Sequence, residues 1–174
     1  MSSSKVAVVT GANKGIGFAI VRKLCKDFSG TVILTARDEQ RGQEAVNLLS
    51  GEGLSAKFHQ LDIISLESIE KFKKCLQEQY GGIDILVNNA GIAYKGASTA
   101  PFSEQAEVTT RTNFRGTLDV CRALFPLLRP HARVVNVSSS IGRLAQLSEE
   151  FQKKFSSQTL TEDSLISLLD QFVQ

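Results

Sequence analysis

The sequence predicts an α/β fold: a doubly wound sheet of parallel strands with helices on both faces, incomplete at its C-terminal side and followed by a helical tail. Three observations carry that prediction. Short runs rich in Val and Ile alternate with longer amphipathic stretches, the order that builds an open parallel sheet through right-handed crossovers. Most of the short runs are apolar at successive positions, as strands covered on both faces are. A glycine cluster stands where the first strand passes into the first helix.

The strands are read at Lys5–Thr10, Thr31–Ala36, Ala56–Asp62, Ile83–Asn88 and Arg133–Ser138. Between them, Gly15–Phe28 places Ile16, Ala19, Ile20 and Leu24 on one helical stripe. Asp38–Leu49 opens on acids and runs out near Gly51 and Gly53, which suit a C-terminal stop. Ser65–Tyr80 turns Leu66, Ile69, Phe72 and Leu76 inward, with Ser65 as N-cap. Ser103–Leu128 reads as one longer helix, ended by the region of Pro126 and Pro130. After Ser140 the alternation stops. Glu149–Phe155 and Glu162–Val173 read as helices, the second capped by Thr161 with Leu165, Leu168, Leu169 and Phe172 on one face. Residues 1–140 thus read as one α/β unit, and 141–174 as a helical segment that is not an independent domain.

With 174 residues, 42% of them hydrophobic and 22% charged, the chain has the composition of a single globular domain. Its 20 basic and 18 acidic residues leave a net charge of +2, which offers nothing to nucleic acid or an anionic membrane. Cys25, Cys75 and Cys121 are odd in number and unclustered, pointing to reduced, buried thiols in a cytoplasmic protein without a metal site. Met1–Lys5 has no signal pattern, and no apolar run reaches membrane-spanning length. Asn136-Val137-Ser138 fits a glycosylation acceptor, but its place inside an apolar strand favours coincidence.

The strongest local signal is Thr10-Gly11-Ala12-Asn13-Lys14-Gly15-Ile16-Gly17. Glycines let a pyrophosphate approach the backbone, and the helix N-terminus beyond supplies unpaired N–H groups and partial positive charge. An ordinary glycine loop is the plain alternative, weakened by the strand-to-helix context. An NAD site would place an acid about 20 positions past the loop to hold the ribose hydroxyls. Here that strand ends Thr35-Ala36-Arg37. Arg37 can grip a 2′-phosphate, with Lys14 adding charge, so the predicted cofactor is NADP(H). Asp38 is the counter-evidence, met by its reading as the start of the next helix. A simple surface role remains open for Arg37.

These residues resemble the short-chain dehydrogenase/reductase family, through the Thr10–Gly17 loop, Asn88-Asn89-Ala90-Gly91, Asn113 and Asn136-Val137-Ser138-Ser139, all in the family's order. More closely, the chain resembles the monomeric NADPH-dependent carbonyl reductases, whose helical insertion the tail after Ser139 matches. The resemblance implies a Rossmann-type fold that reduces small carbonyl compounds (ketones, aldehydes, quinones) to alcohols. It implies cofactor contacts from Gly11, Asn13, Lys14, Gly15, Ile16, Gly17, Arg37, Asp62, Ile63, Asn89, Ala90 and Gly91. Within these, Asn13 and Lys14 would meet phosphates and ribose, Asp62 the adenine amino group, and Asn89 the adenosine ribose and the loop backbone. It implies catalytic roles for Ser139, which would bond the carbonyl oxygen, and for Asn113, whose kink in the long helix would order a relay water. Plainer roles stay open: Asp62 as a helix cap, Asn88 and Asn89 as turn residues, and Asn113 as a solvent-facing side chain.

The family's reaction also requires a Tyr-x-x-x-Lys pair as a tuned general acid. Tyr80 is followed four residues later by Asp84, and Tyr94 by Ser98. The chain therefore reads as a truncated product or isoform, or an incomplete gene model, impaired or inactive alone. Its alternative is a non-catalytic NADP(H)-binding module that interacts with another reductase. The parent family implies a monomer, whereas an uncovered fifth strand invites association through the sheet edge.

Overall fold

The computed structural model describes residues 4–173; Met1, Ser2, Ser3 and Gln174, including most of the segment read for a signal pattern, lie outside them. Five strands form one parallel sheet in the order β3-β2-β1-β4-β5. They are β1 (Lys5–Val9), β2 (Gly30–Ala36), β3 (Lys57–Gln60), β4 (Ile83–Asn88) and β5 (Leu128–Asn136). The helices α1 (Gly15–Asp27), α2 (Glu39–Gly51) and α3 (Leu66–Gln79) connect the first four strands.

Strand periodicity divides the core between the two faces. Val6, Val8, Ile33 and Leu86 pack with Ile69, Phe72 and Leu76 of α3. Val9, Val32, Leu34 and Val87 pack with Val21 of α1 and with Ala45 and Leu49 of α2. Fully burying a Val, Leu or Ile side chain stabilises by about 1.5–3 kcal/mol, so this sandwich fixes the register of β1, β2 and β4. Ile20 and Leu24 of the predicted α1 stripe pack against the core, but its other two members do not. Gly17 and Val21 are buried, whereas Ala19 is exposed and Ile16 is 65% exposed. Gly17 is packed against the Asn89 side chain, so the inward face carries Gly17 and Val21 beside Ile20 and Leu24. Leu66 of α3 is likewise exposed, because it occupies the first helical turn ahead of the packed face.

The predicted long helix is a composite. α4 (Phe102–Thr110) passes into a π-helical turn (Arg111–Gly116), then α5 (Thr117–Leu124), then a 3₁₀ turn (Phe125–Leu127) that holds Pro126. β5 begins at Leu128 rather than Arg133 and ends before Val137. Arg129 draws its start alongside β4, donating to Asp84 Oδ2 (2.7 Å) and to Ser4 O (3.0 Å). A bulge follows, where the register jumps from Ile83↔Leu128 to Ile85↔Arg133 and His131 takes a φ of 66°. β3 is shorter than predicted. The three cysteines are free but half-buried rather than buried.

Beyond two short 3₁₀ turns lie α6 (Glu149–Phe155) and α7 (Glu162–Val173). Thr161 Oγ1 accepts from Ser164 N at 3.2 Å, as its predicted cap role requires. α7 lies against α4, with Phe102 and Phe172 edge to face at 6.3 Å. No helix of the described residues is long and apolar enough to cross a membrane.

Candidate nucleotide site

β1 and β4 are neighbours in the sheet although β2 and β3 intervene in the chain. The loops leaving them therefore diverge and open a crevice at the strand ends, the position where such sheets bind ligands. A cleft of about 440 Å³ lies there, within the roughly 300–1,000 Å³ typical of ligand pockets.

Its floor is built by a buried threonine. Thr10 Oγ1 accepts from the backbone N–H groups of Asn89 and Ala90, both at 3.0 Å. Asn89 Nδ2 returns to Thr10 O (2.9 Å) and Gly11 O (3.0 Å). The two loops are thus laced together by one hydroxyl and one amide. This lacing dictates the glycines. Gly11 has a φ of 60°, and a Cβ there would stand 2.7 Å from Ala90 Cα. A Cβ on Gly17 would stand 2.4 Å from Asn89 Nδ2.

Gly11, Asn13, Lys14, Gly15, Ile16, Gly17, Arg37, Asp62, Ile63, Asn89, Ala90 and Gly91 all line the cleft. So do Asp38, Arg41, Ile92 and Thr112, which sequence reasoning did not place there. Arg41 sits one turn into α2, and an Arg at that spacing from Arg37 was a readable signal. The donor set suits a phosphorylated ligand. α1 has no side-chain N-cap and no acid in its first turn, so its leading N–H groups stay available. A Cβ on Gly15 would meet nothing within 4 Å, leaving room above that turn. Among the described residues, neither Lys14 nor Arg37 has an ion-pair partner. Arg41 lies 3.8 Å from Asp38, whose Oδ1 caps α2 by accepting from Arg41 N at 2.9 Å. Asp62 Oδ1 accepts from Ile64 N at 3.2 Å, while Ser65 caps α3.

Asn113 lies in the π-helical turn beside the cleft rather than in its wall. Its Oδ1 accepts from Ile92 N and its Nδ2 donates to Ile92 O, both at 2.8 Å. The side chain is exposed yet not free: both amide atoms are engaged, and it clamps the loop after β4. π-turns in helices occur frequently at functional sites. Ser139 also lies outside the cleft lining, past the end of β5, exposed, with Oγ accepting from Ile141 N at 3.2 Å. Asn136, of the glycosylation-like triplet, accepts at Oδ1 from Asn88 Nδ2 at 2.9 Å.

Neither tyrosine is placed as a tuned acid. Tyr80 caps the C-terminus of α3, at the sheet end opposite the cleft, and burial pushes its phenol up. Desolvation and the Glu104 carboxylate raise that of Tyr94, whose hydroxyl donates to Glu104 at 3.4 Å. Among the described residues no group of His, Cys, Asp and Glu could hold a metal.

Comparison with known proteins agrees with this geometry. The family model for short chain dehydrogenases matches residues 5–150. Carbonyl reductase (NADPH) 1 of Bos taurus is 59% identical over 175 residues, a match covering 99% of this chain and 63% of the bovine one. The chain thus spans less than two thirds of the length of that relative. Menthone neomenthol reductase from Mentha piperita superposes with a TM-score of 0.87 at 33% identity, covering 99% of this chain and 74% of that one. A metagenomic short-chain oxidoreductase solved with NADP gives 0.68 at 32% identity, over 81% of this chain and 65% of that one. Laced loops, glycine cradle, parallel sheet and matched residues agree: the chain belongs to the short-chain dehydrogenase family.

Proposed function

We propose that these residues form the NADP(H)-binding portion of a reductase that converts small carbonyl compounds to alcohols. One observation carries the reading: Lys14 and Arg37 stand on the cleft without ion-pair partners among the described residues, beside an uncapped helix N-terminus. The leading N–H groups of α1 would meet the pyrophosphate, with Asn13 and Lys14 alongside. Arg37 would hold the 2′-phosphate, helped by Arg41; Ala36 stands where an NAD site expects its acid, and Asp38, which also lines the cleft, is engaged in capping α2. Asp62 and Ile63 would border the adenine, while Asn89, Ala90 and Gly91 form the wall that lines the adenosine. The names of the bovine relative and of the metagenomic complex support this choice of cofactor.

NADPH, when bound, supplies hydride. Ser139 Oγ, accepting from Ile141 N, keeps its hydrogen free to donate to a substrate oxygen. Asn113 is a positioning residue that sets the Ile92 backbone. The tuned acid of the family's reaction has no counterpart among these residues, since neither tyrosine precedes a lysine by four. The 174 residues alone therefore bind cofactor and turn over carbonyls slowly or not at all. Free thiols and balanced charge favour a cytoplasmic setting.

The test is direct. Purified chain with NADPH and a quinone should show no loss of NADPH absorbance above background, while NADPH fluorescence reports saturable binding. Turnover abolished by Ser139→Ala would contradict the inactivity; absence of binding would contradict the cofactor reading. A second reading, a non-catalytic module that pairs with another reductase, is favoured by the exposure of Val134, Val135 and Val137 on and just after β5.

A further inference from the structure

The π-helical turn Arg111–Gly116 is shared between the cleft and the tail. Toward the cleft, Thr112 lines it, Asn113 clamps Ile92 through both amide atoms, and Gly116 is buried against Ile63. A Cβ on Gly116 would stand 2.9 Å from Ile63 O, so the turn presses directly on the cleft wall. Toward the tail, Arg115 of the same turn pairs with Asp170 of α7. Two turns further, Arg122 Nε of α5 donates to Glu162 Oε1 at 2.9 Å, so α7 is pinned at both ends. α7 buries no residue fully, with Leu165, Ile166, Leu168 and Leu169 half-buried, and these two pairs and the Phe102–Phe172 contact add to that attachment.

We infer that the Arg115–Asp170 pair makes α7 a positioning element for the nucleotide cleft, acting through the π-turn and Asn113 on the Ile92 backbone. The physical basis is mechanical. A π-turn departs from the regular helical ladder, and here it lies between the cleft wall and a helix that buries no residue fully. Releasing α7 frees Arg115, loosens the turn and weakens the clamp on Ile92. The consequence for NADP(H) affinity rests on the reading of the cleft given above; the consequence for Ile92 does not.

Amide hydrogen exchange in the cofactor-free chain tests the link, with Ile92 as reporter. Thr10, whose N–H donates to Val87 O at 3.0 Å in the buried sheet, is the reference. Asp170→Asn and Arg115→Asp should each speed Ile92 exchange roughly two- to fivefold, the range expected for an exposed ion pair, and leave Thr10 unchanged. The exchanged pair, Arg115→Asp with Asp170→Arg, should restore Ile92 protection. Unchanged Ile92 exchange in the single variants, equal acceleration at Thr10, or no rescue by the exchanged pair would overturn the inference. NADPH titration of the same proteins should show a parallel loss of affinity. An Ile92 response in a chain that takes up no NADPH would contradict the cofactor reading alone.

Discussion

β1 and β5 are both valine-rich parallel strands, yet they live in different environments. Val6, Val8 and Val9 of β1 are 0% exposed. Val134 and Val135 of β5 are 37% and 47% exposed, and Val137 just beyond is 37% exposed. β1 has a strand on each side and helices on both faces, whereas β5 pairs only with β4. Apolar pattern identifies a strand; its neighbours decide whether the pattern becomes burial. The cofactor-side chemistry grows out of the well-packed region, and Ser139 hangs from the exposed one.

The comparison can be broken by mutation. Leu86→Ala on β4, fully buried between α3 and β1, should cost about 2–5 kcal/mol and lower the thermal midpoint substantially. Gly17→Ala should cost about 1–3 kcal/mol, because its methyl would meet Asn89 Nδ2. Matched chemical-denaturation curves check both. Val135→Lys should change stability by less than about 0.5 kcal/mol, while sedimentation shows any self-association reduced. A Val135→Lys loss as large as that of Leu86→Ala would mean that β5 is buried in solution. A Leu86→Ala loss near zero would mean that the sheet centre is loose.

Most of the framework was legible in the sequence because periodicity reports which faces are covered. All five strands and the connecting helices fall within a few residues of their predicted places. The departures are tertiary in origin. The inward face of α1 carries Gly17, packed against Asn89, which the stripe of Ile16 and Ala19 did not reveal. The early start of β5 depends on Arg129 reaching Asp84 and Ser4, contacts between distant positions. Nothing in Arg111–Gly116 breaks a helix outright, so only the resemblance, which makes Asn113 a kink, pointed to the π-turn there. At the cleft, the glycine loop, Arg37, Asp62 and Asn89 could be placed by motif. Thr10 carried no predicted role, although its hydroxyl ties both loops, because a buried threonine looks like any other in a strand. Asn113 and Ser139 were named by resemblance, and their partners, Ile92 and Ile141, could be read only in three dimensions.

The central claim is a cleft that prefers NADP(H) through Arg37. The most direct measurement is a pair of fluorescence titrations, NADPH and NADH, on the chain and on Arg37→Ala. A charge-assisted phosphate contact contributes about 1.5–3 kcal/mol, so NADPH should bind roughly 10- to 150-fold tighter than NADH. Arg37→Ala should remove most of that preference and leave the NADH affinity nearly unchanged. Equal affinities in the unaltered chain, or a preference that survives the substitution intact, would contradict the account.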